Sequence, residues 1–203
     1  MARRAQELPT EGRVLGASDL ILVTLGSSMF FPFARLVKHV ENLSDQFADQ
    51  ILFQSGCREN KIQSTRVKCT GYVSVGEFDR ICGEADLVIS QAGVGVMISC
   101  LSKGTPLILI PRLARLGETT TQHQSEMYNI VHALELEREV AVLEEEGDFI
   151  ELCKNMYGKR YTPLSVGNLP RALCSFMKMH EASSSPSRNL HHEIRSSGVP
   201  PGH

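Results

Sequence analysis

Residues 85–111 read ADLVISQAGVGVMISCLSKGTPLILIP, and the order of residue types in that stretch sets the architecture of the chain. Leu87 to Ser90 is a short apolar run with β-branched residues, the composition of a strand buried inside a parallel sheet. Gln91-Ala92-Gly93-Val94-Gly95 then turns the chain, and Val94, Met97, Ile98 and Leu101 recur at the spacing of one helix face. Gly104 stops that helix and Pro106 opens another strand, Leu107 to Ile110. The unit is β-α-β, and its chemically interesting point is the junction at Gly93. Glycines there let the backbone approach a ligand, and a helix start offers unpaired N–H groups carrying partial positive charge. In open parallel sheets, crevices at strand carboxyl ends take ligands, and a diphosphate suits such a site. The same residues also suit a plain tight turn that packs helix on strand; a lone G-x-G does not separate the two.

Bulk properties narrow the function classes. The chain has 203 residues, enough for one sizeable core plus irregular ends. Hydrophobic residues make up 42% and charged residues 22%, as in an ordinary globular protein, and no apolar run reaches bilayer-spanning length. A formal net charge of -2 gives no basic footprint, so nucleic acid is not an expected partner. The six cysteines, Cys57, Cys69, Cys82, Cys100, Cys153 and Cys174, contain no C-x-x-C pair. They read as small core residues in a reducing compartment, not as a metal or redox site. The opening MARRAQELPTEGRVLGASD has no apolar segment behind its arginines and is not read as a secretory signal.

Taken in order, residues 1–18 read as a flexible lead-in, and 19–160 as the folded domain. Residues 161–180 read as a carboxyl-terminal helical segment, centred on Leu169 to Met179, and 181–203, rich in serine and proline, as a disordered tail. Leu20 to Leu25 is the first buried strand, ending in the polar turn Gly26-Ser27-Ser28, a second phosphate-compatible junction. Phe33, Leu36, Val37 and Val40 mark the helix that follows. Gln50 to Gln54 and Arg66 to Tyr72 are the next strands. Ser74-Val75-Gly76-Glu77 has capping-box spacing and opens a helix with Val75, Phe78 and Cys82 inward. Arg112 to Thr121 is too polar for a core and reads as a loop at the carboxyl rim of the sheet. There Arg112, Arg115, Glu118, His123 and Gln124 are expected to converge near the crevice. A helix bearing Met127, Ile130, Val131 and Leu134 follows, then a strand at Val140 to Leu143, and a helix capped by Asp148 and Glu151.

VTLGSS with PFARL, the 85–111 stretch, and the HQ of TTTQHQSEM together resemble the C-terminal domain of family 28 glycosyltransferases, over roughly residues 20–155. More narrowly, they resemble the small catalytic subunits of split glycosyltransferases. The resemblance implies an α/β fold with a single Rossmann-like parallel-sheet domain, the C-terminal half of a GT-B pair. It implies a donor-binding subunit of an inverting hexosyltransferase. That subunit moves a hexose or N-acetylhexosamine from a UDP-sugar to a lipid-linked (polyprenyl or dolichyl diphosphate) saccharide. By resemblance Gly26, Ser27, Ser28, Gly93, Val94 and Gly95 hold the donor diphosphate, Tyr72, Val73 and Ser99 the nucleoside, and Gln91, Glu118, His123 and Gln124 the donor sugar. No D-x-D motif occurs, so neither a metal nor another cofactor is expected. The general base, for which no residue here stands out, is expected from a membrane-anchored partner subunit, which would recruit a cytoplasmic chain to the membrane. Two positions depart from the family pattern: Ser99 stands where an acidic residue contacts the ribose, and Gln91 replaces a histidine. Ser99 keeps open a second reading, a degenerate donor-binding scaffold without catalysis. A nucleotide-sugar epimerase, with a similar donor fold, is a much longer single chain.

Overall fold

The computed structural model describes residues 19–26, 33–47, 50–55, 62, 64–120, 127–143, 145 and 147–165. Six strands are present: β1 (Leu20–Thr24), β2 (Gln50–Gln54), β3 (Val67–Thr70), β4 (Leu87–Gln91), β5 (Leu107–Ile110) and β6 (Val140–Val142). They form one sheet in the order β3-β2-β1-β4-β5-β6, and every neighbouring pair is parallel. Five helices cover its two faces: α1 (Ala34–Gln46), α2 (Val75–Glu84), α3 (Val94–Lys103), α4 (Met127–Ala133) and α5 (Phe149–Met156). This is the α/β parallel-sheet domain expected from the sequence.

The strands are apolar on both sides because both sides are covered. Ile21, Val23, Leu87, Ile89, Ile108 and Ile110 pack under α1 and α5 with Phe33, Leu36, Val40, Phe149 and Cys153. Their alternate neighbours Leu22, Val88, Leu107 and Leu109 pack under α2, α3 and α4 with Met97, Leu101, Ile130 and Val131. One strand sequence thus feeds two cores, which is why a continuous run such as Leu107–Ile110 is wholly buried.

The helix ends follow local chemistry. Ser74 caps α2 by accepting from the Glu77 N–H at 3.2 Å, and Asp148 caps α5 by accepting from the Glu151 N–H at 3.0 Å. The reciprocal half of the expected capping box is absent at α2: the Glu77 carboxylate pairs with Arg80 instead, at 2.7 Å. Val75, expected inward, is 81% exposed, and Ile81 and Cys82 supply the buried face of α2. Position 75 is the first residue of the helix, where the chain still overhangs the sheet. Cys82, Cys100 and Cys153 are buried as expected, but Cys69 is exposed, because it lies on the edge strand β3.

The segment after α5 runs back along the amino-terminal edge of the sheet. Arg160 donates to the carbonyls of Gly83 and Ala85, each at 2.7 Å, the Tyr161 N–H donates to Gly104 O at 3.2 Å, and the Leu164 N–H to Leu101 O at 3.0 Å. The expected boundary at residue 160 falls inside this strap, whose residues 161–165 are not helical. The lead-in, the helix expected over 169–179, the tail, Cys57 and Cys174 lie outside the described residues.

Gly104 joins the strap to α3. It closes the helix at φ +67, and a Cβ there would run into the carbonyl oxygen of Tyr161. A left-handed conformation costs a non-glycine residue about 1–2 kcal/mol before any collision. Gly104→Ala is therefore expected to lower the unfolding free energy by at least about 2 kcal/mol in urea titration; a loss under about 0.5 kcal/mol would contradict this account of the strap.

Candidate functional site

The strand order changes direction between β1 and β4: the connection after β1 passes through α1 to β2, and that after β4 passes through α3 to β5. α1 and α3 cover opposite faces, so the carboxyl ends of β1 and β4 form the switch point at which open parallel sheets carry a ligand crevice. Thr24 stands opposite Ser90 in the register. Gly26 and the Gly93 turn therefore share one rim.

Gly26 is held in the left-handed region, φ +63, and a Cβ there would come within 2.6 Å of Gln91 Nε2. Both conformation and space demand glycine. Gly93 and Gly95 are different. Gly93 caps α3 with φ -111, a Cβ on it would meet nothing nearer than 3.7 Å, and a Cβ on Gly95 would meet nothing within 4 Å. Among the described residues nothing requires either to be glycine, and both stand at the first N–H groups of a ten-residue helix.

Behind the crevice Arg112 and Glu118 converge as expected, but their burial was not expected. Arg112 is 2% exposed and Glu118 6%, although the segment 112–121 is polar enough to read as a solvated loop. Arg112 Nε donates to Gln91 Oε1 at 2.6 Å and Nη1 to the Glu118 carbonyl at 3.1 Å, while its guanidinium lies 4.5 Å from the Phe33 ring centre. Glu118 takes Arg35 Nη2 at 2.9 Å, Arg35 Nε at 3.2 Å and the Leu113 N–H at 3.0 Å. Arg35 also donates to the Pro111 carbonyl at 2.5 Å. Burial draws the Arg112 pKa down and Glu118 counteracts it; a guanidinium stays charged regardless. Burial, and then Arg35 and Lys38, push the His39 pKa below its usual value. Among the described residues the Arg35 and Arg112 guanidinium groups and the Glu118 carboxylate lie behind Gln91, and Gln91 is the residue that touches Gly26.

Of the expected site residues, Gly26, Gln91, Gly93, Val94 and Gly95 come together at the rim. Glu118 sits behind them with its carboxylate occupied by Arg35 and Leu113. Arg115 points away and pairs with Glu145. Tyr72, 54% exposed, and the half-buried Val73 lie just before α2. Ser99 faces α2 and donates to Asp79 Oδ1 at 2.7 Å. Ser27, Ser28, His123 and Gln124 lie outside the described residues. Among the described residues no group of three or more His, Cys, Asp or Glu side chains is arranged to hold a metal ion, and no helix is long and apolar enough to cross a membrane. Arg35 and Asp79 carried no sequence signal: Arg35 meets Glu118 across 83 positions, and Asp79 meets Ser99 across 20.

Comparison with known proteins identifies the family of the chain. Residues 20–147 match the model of the glycosyltransferase family 28 C-terminal domain, and the chain belongs to that family. No curated protein matches it in sequence. Among solved structures it is similar to the spinosyn forosaminyltransferase SpnP, at 13% identity over 89% of this chain and 44% of that one, with a TM-score of 0.50. It is also similar to the glycosyltransferase SnogD from Streptomyces nogalater, at 16% identity over 91% of this chain and 44% of that one, with a TM-score of 0.45. A third is the solution structure of ALG13, at 18% identity over 78% of this chain and 94% of that one, with a TM-score of 0.47. The chain spans less than half the length of the first two. At these identities the likeness is one of fold.

The charge cluster makes its own prediction. Glu118→Gln removes the carboxylate that pairs with Arg35 beside Arg112 and is expected to cost about 3–5 kcal/mol of stability, the range for breaking a buried pair. The double variant R35M/E118L, which removes the pair together, should recover most of that loss. Equal stability of Glu118→Gln and the natural chain in urea would show that the cluster does not hold the rim.

Proposed function

We propose that this member of glycosyltransferase family 28 binds the nucleotide-sugar donor, a UDP-sugar, in the crevice between Gly26 and Gly93. We further propose that it acts as the donor half of an inverting transferase. The diphosphate lies against the α3 start at Gly93, Val94 and Gly95 and against the turn at Gly26, Ser27 and Ser28. The nucleoside extends toward Tyr72, Val73 and Ser99, and His123 and Gln124 read hydroxyls of the sugar. Gln91 and Glu118 act from behind, by holding Arg112 against the rim. The acceptor is a lipid-linked saccharide presented by a membrane-anchored partner subunit, which draws this chain to the membrane surface and also supplies the general base.

The observation that carries this reading is the pair of glycines, Gly93 and Gly95, where no described residue would obstruct a side chain. Their reason lies in what occupies the space before them. A diphosphate fits, since helix N–H groups and the nearby Arg112 guanidinium both favour an anion. In the reaction an acceptor hydroxyl attacks the anomeric carbon, a new C–O bond forms on the opposite face, and the bond to the diphosphate breaks. The hydroxyl proton goes to the base, and the electron pair leaves with UDP. Negative charge grows on the departing diphosphate, where the N–H groups of α3 are already oriented. A preorganised donor of this kind is worth about 3–4 kcal/mol of barrier when removed singly. No metal is required in this scheme, because the helix start and the Arg112 charge stand where a cation would.

The second reading, a donor-domain scaffold without catalysis, draws on Ser99, which lacks the carboxylate expected at that position. Titration calorimetry with UDP separates the two, since the donor reading requires binding. Gly95→Leu is the sharper test. It is expected to fold with unchanged or higher stability, because leucine is a better helix former than glycine by nearly 1 kcal/mol, yet to weaken UDP binding by about tenfold or more, as expected when a phosphate contact is blocked. Unchanged UDP affinity in a well-folded Gly95→Leu would contradict the site. Transfer from a UDP-sugar to lipid-linked acceptor by the purified chain alone would contradict the partner's role in supplying the base.

A further inference from the structure

The contact between α2 and α3 brings to Ser99 a residue that the donor reading does not use, Asp79. Both helices start at the carboxyl rim and run down the same face of the sheet. Three pairs define their register: Asp79 with Ser99, Cys82 with Cys100, whose thiol pKa its neighbour raises, and Gly83 with the stem of Lys103, 3.8 Å from a Cβ placed on that glycine. Extended one turn toward the rim, the same register sets Val75 against Gly95. Among the described residues neither closes the gap: Val75 is 81% exposed, and none stands within 4 Å of a Cβ on Gly95. A slot therefore opens beside the α3 start, and Asp79 and Ser99 form its floor about 6 Å, one helical turn, below Gly95.

The chemistry of that floor is specific. Ser99 has one hydroxyl proton, and it is given to Asp79 Oδ1 at 2.7 Å. What the pair shows to the slot is lone pairs only: those left on Ser99 Oγ, the second pair on Oδ1, and the whole of Oδ2, which takes no hydrogen bond among the described residues. An acceptor-only floor carrying a negative charge repels phosphate and accepts hydroxyls. Adjacent hydroxyl donors one turn below a bound diphosphate describe the ribose of a nucleoside diphosphate. A carboxylate accepting from ribose hydroxyls is a recurrent device in nucleotide sites. Further along the same sheet face lies Ser90 Oγ, from a fully buried residue and without a hydrogen-bond partner among the described residues. The polar lining thus continues beneath the α3 start.

We infer that Asp79, reached through the slot at Gly95 and oriented by Ser99, is the residue that selects a ribonucleotide donor by accepting from the ribose hydroxyls. The carboxylate missing from position 99 is supplied by the neighbouring helix. This inference rests on the UDP-sugar reading of the crevice, and the experiment keeps the two apart. Calorimetry on the full chain compares UDP with 2′-deoxy-UDP. The natural chain is expected to prefer UDP by about tenfold or more, the value of a hydrogen bond to a charged group. Asp79→Ala and Asp79→Asn are each expected to bring the two affinities to within about twofold, and Ser99→Glu added to Asp79→Ala to restore the preference. Asparagine still accepts from Ser99, so the Asn variant preserves the α2–α3 contact if the Ala variant fails to fold. A residue that only joined the helices would lower the melting temperature and leave the UDP to 2′-deoxy-UDP ratio unchanged; that result overturns the assignment of Asp79 while sparing the donor site. Absence of UDP binding by the natural chain overturns both.

Discussion

β1 and β4 lie side by side at the centre of the sheet, and the rest of the molecule's chemistry depends on that adjacency. The helix after β1 lies on one face and the helix after β4 on the other, the arrangement that sets a ligand crevice at the carboxyl ends of two adjacent strands. Gly26 meets Gln91 across this gap so closely that no side chain fits at position 26. The contact sets the width of the crevice and brings the start of α3 beside the first turn. Strand order thus creates the site before any functional side chain is considered.

Burial of the Arg112 cluster is the energetic counterpart of that geometry. Placing guanidinium groups in the interior costs several kcal/mol per ion unless their hydrogen bonds are met. Here Gln91, the Glu118 carbonyl and the Phe33 ring surround Arg112, and Glu118 holds Arg35. The Arg112 guanidinium, held beside Gln91, favours an anion in the crevice. The same logic explains the division of labour between the helices: the α3 start favours phosphate, whereas the Asp79 carboxylate one turn below favours hydroxyls.

Much of this was legible in the sequence because it depends on local patterns. The run Leu107–Ile110, the left-handed Gly104 and the caps at Ser74 and Asp148 each rest on residues within four positions of one another. Val75 misled because helical spacing is blind to where the helix overhangs its sheet. Cys69 misled because an edge strand has an exposed side that composition does not mark. The segment 112–118 misled for a deeper reason: its polarity is real, but Arg112 and Glu118 are satisfied by Gln91 and Arg35, partners 21 and 83 positions away. Asp79 stayed hidden for the same reason. A position-by-position comparison finds serine at 99, and only the packed helices bring a carboxylate to it.

The chain is a family 28 glycosyltransferase domain by membership, and the central claim is that the amides at the start of α3 grip a diphosphate. The most direct test is a titration of the isotopically labelled full chain with UDP, followed by amide NMR. The account predicts that the amide resonances of Gly26, Gly93, Val94 and Gly95 move most, in proportion to occupancy. Saturable binding that leaves these four unmoved, or no change anywhere in the spectrum, would contradict it.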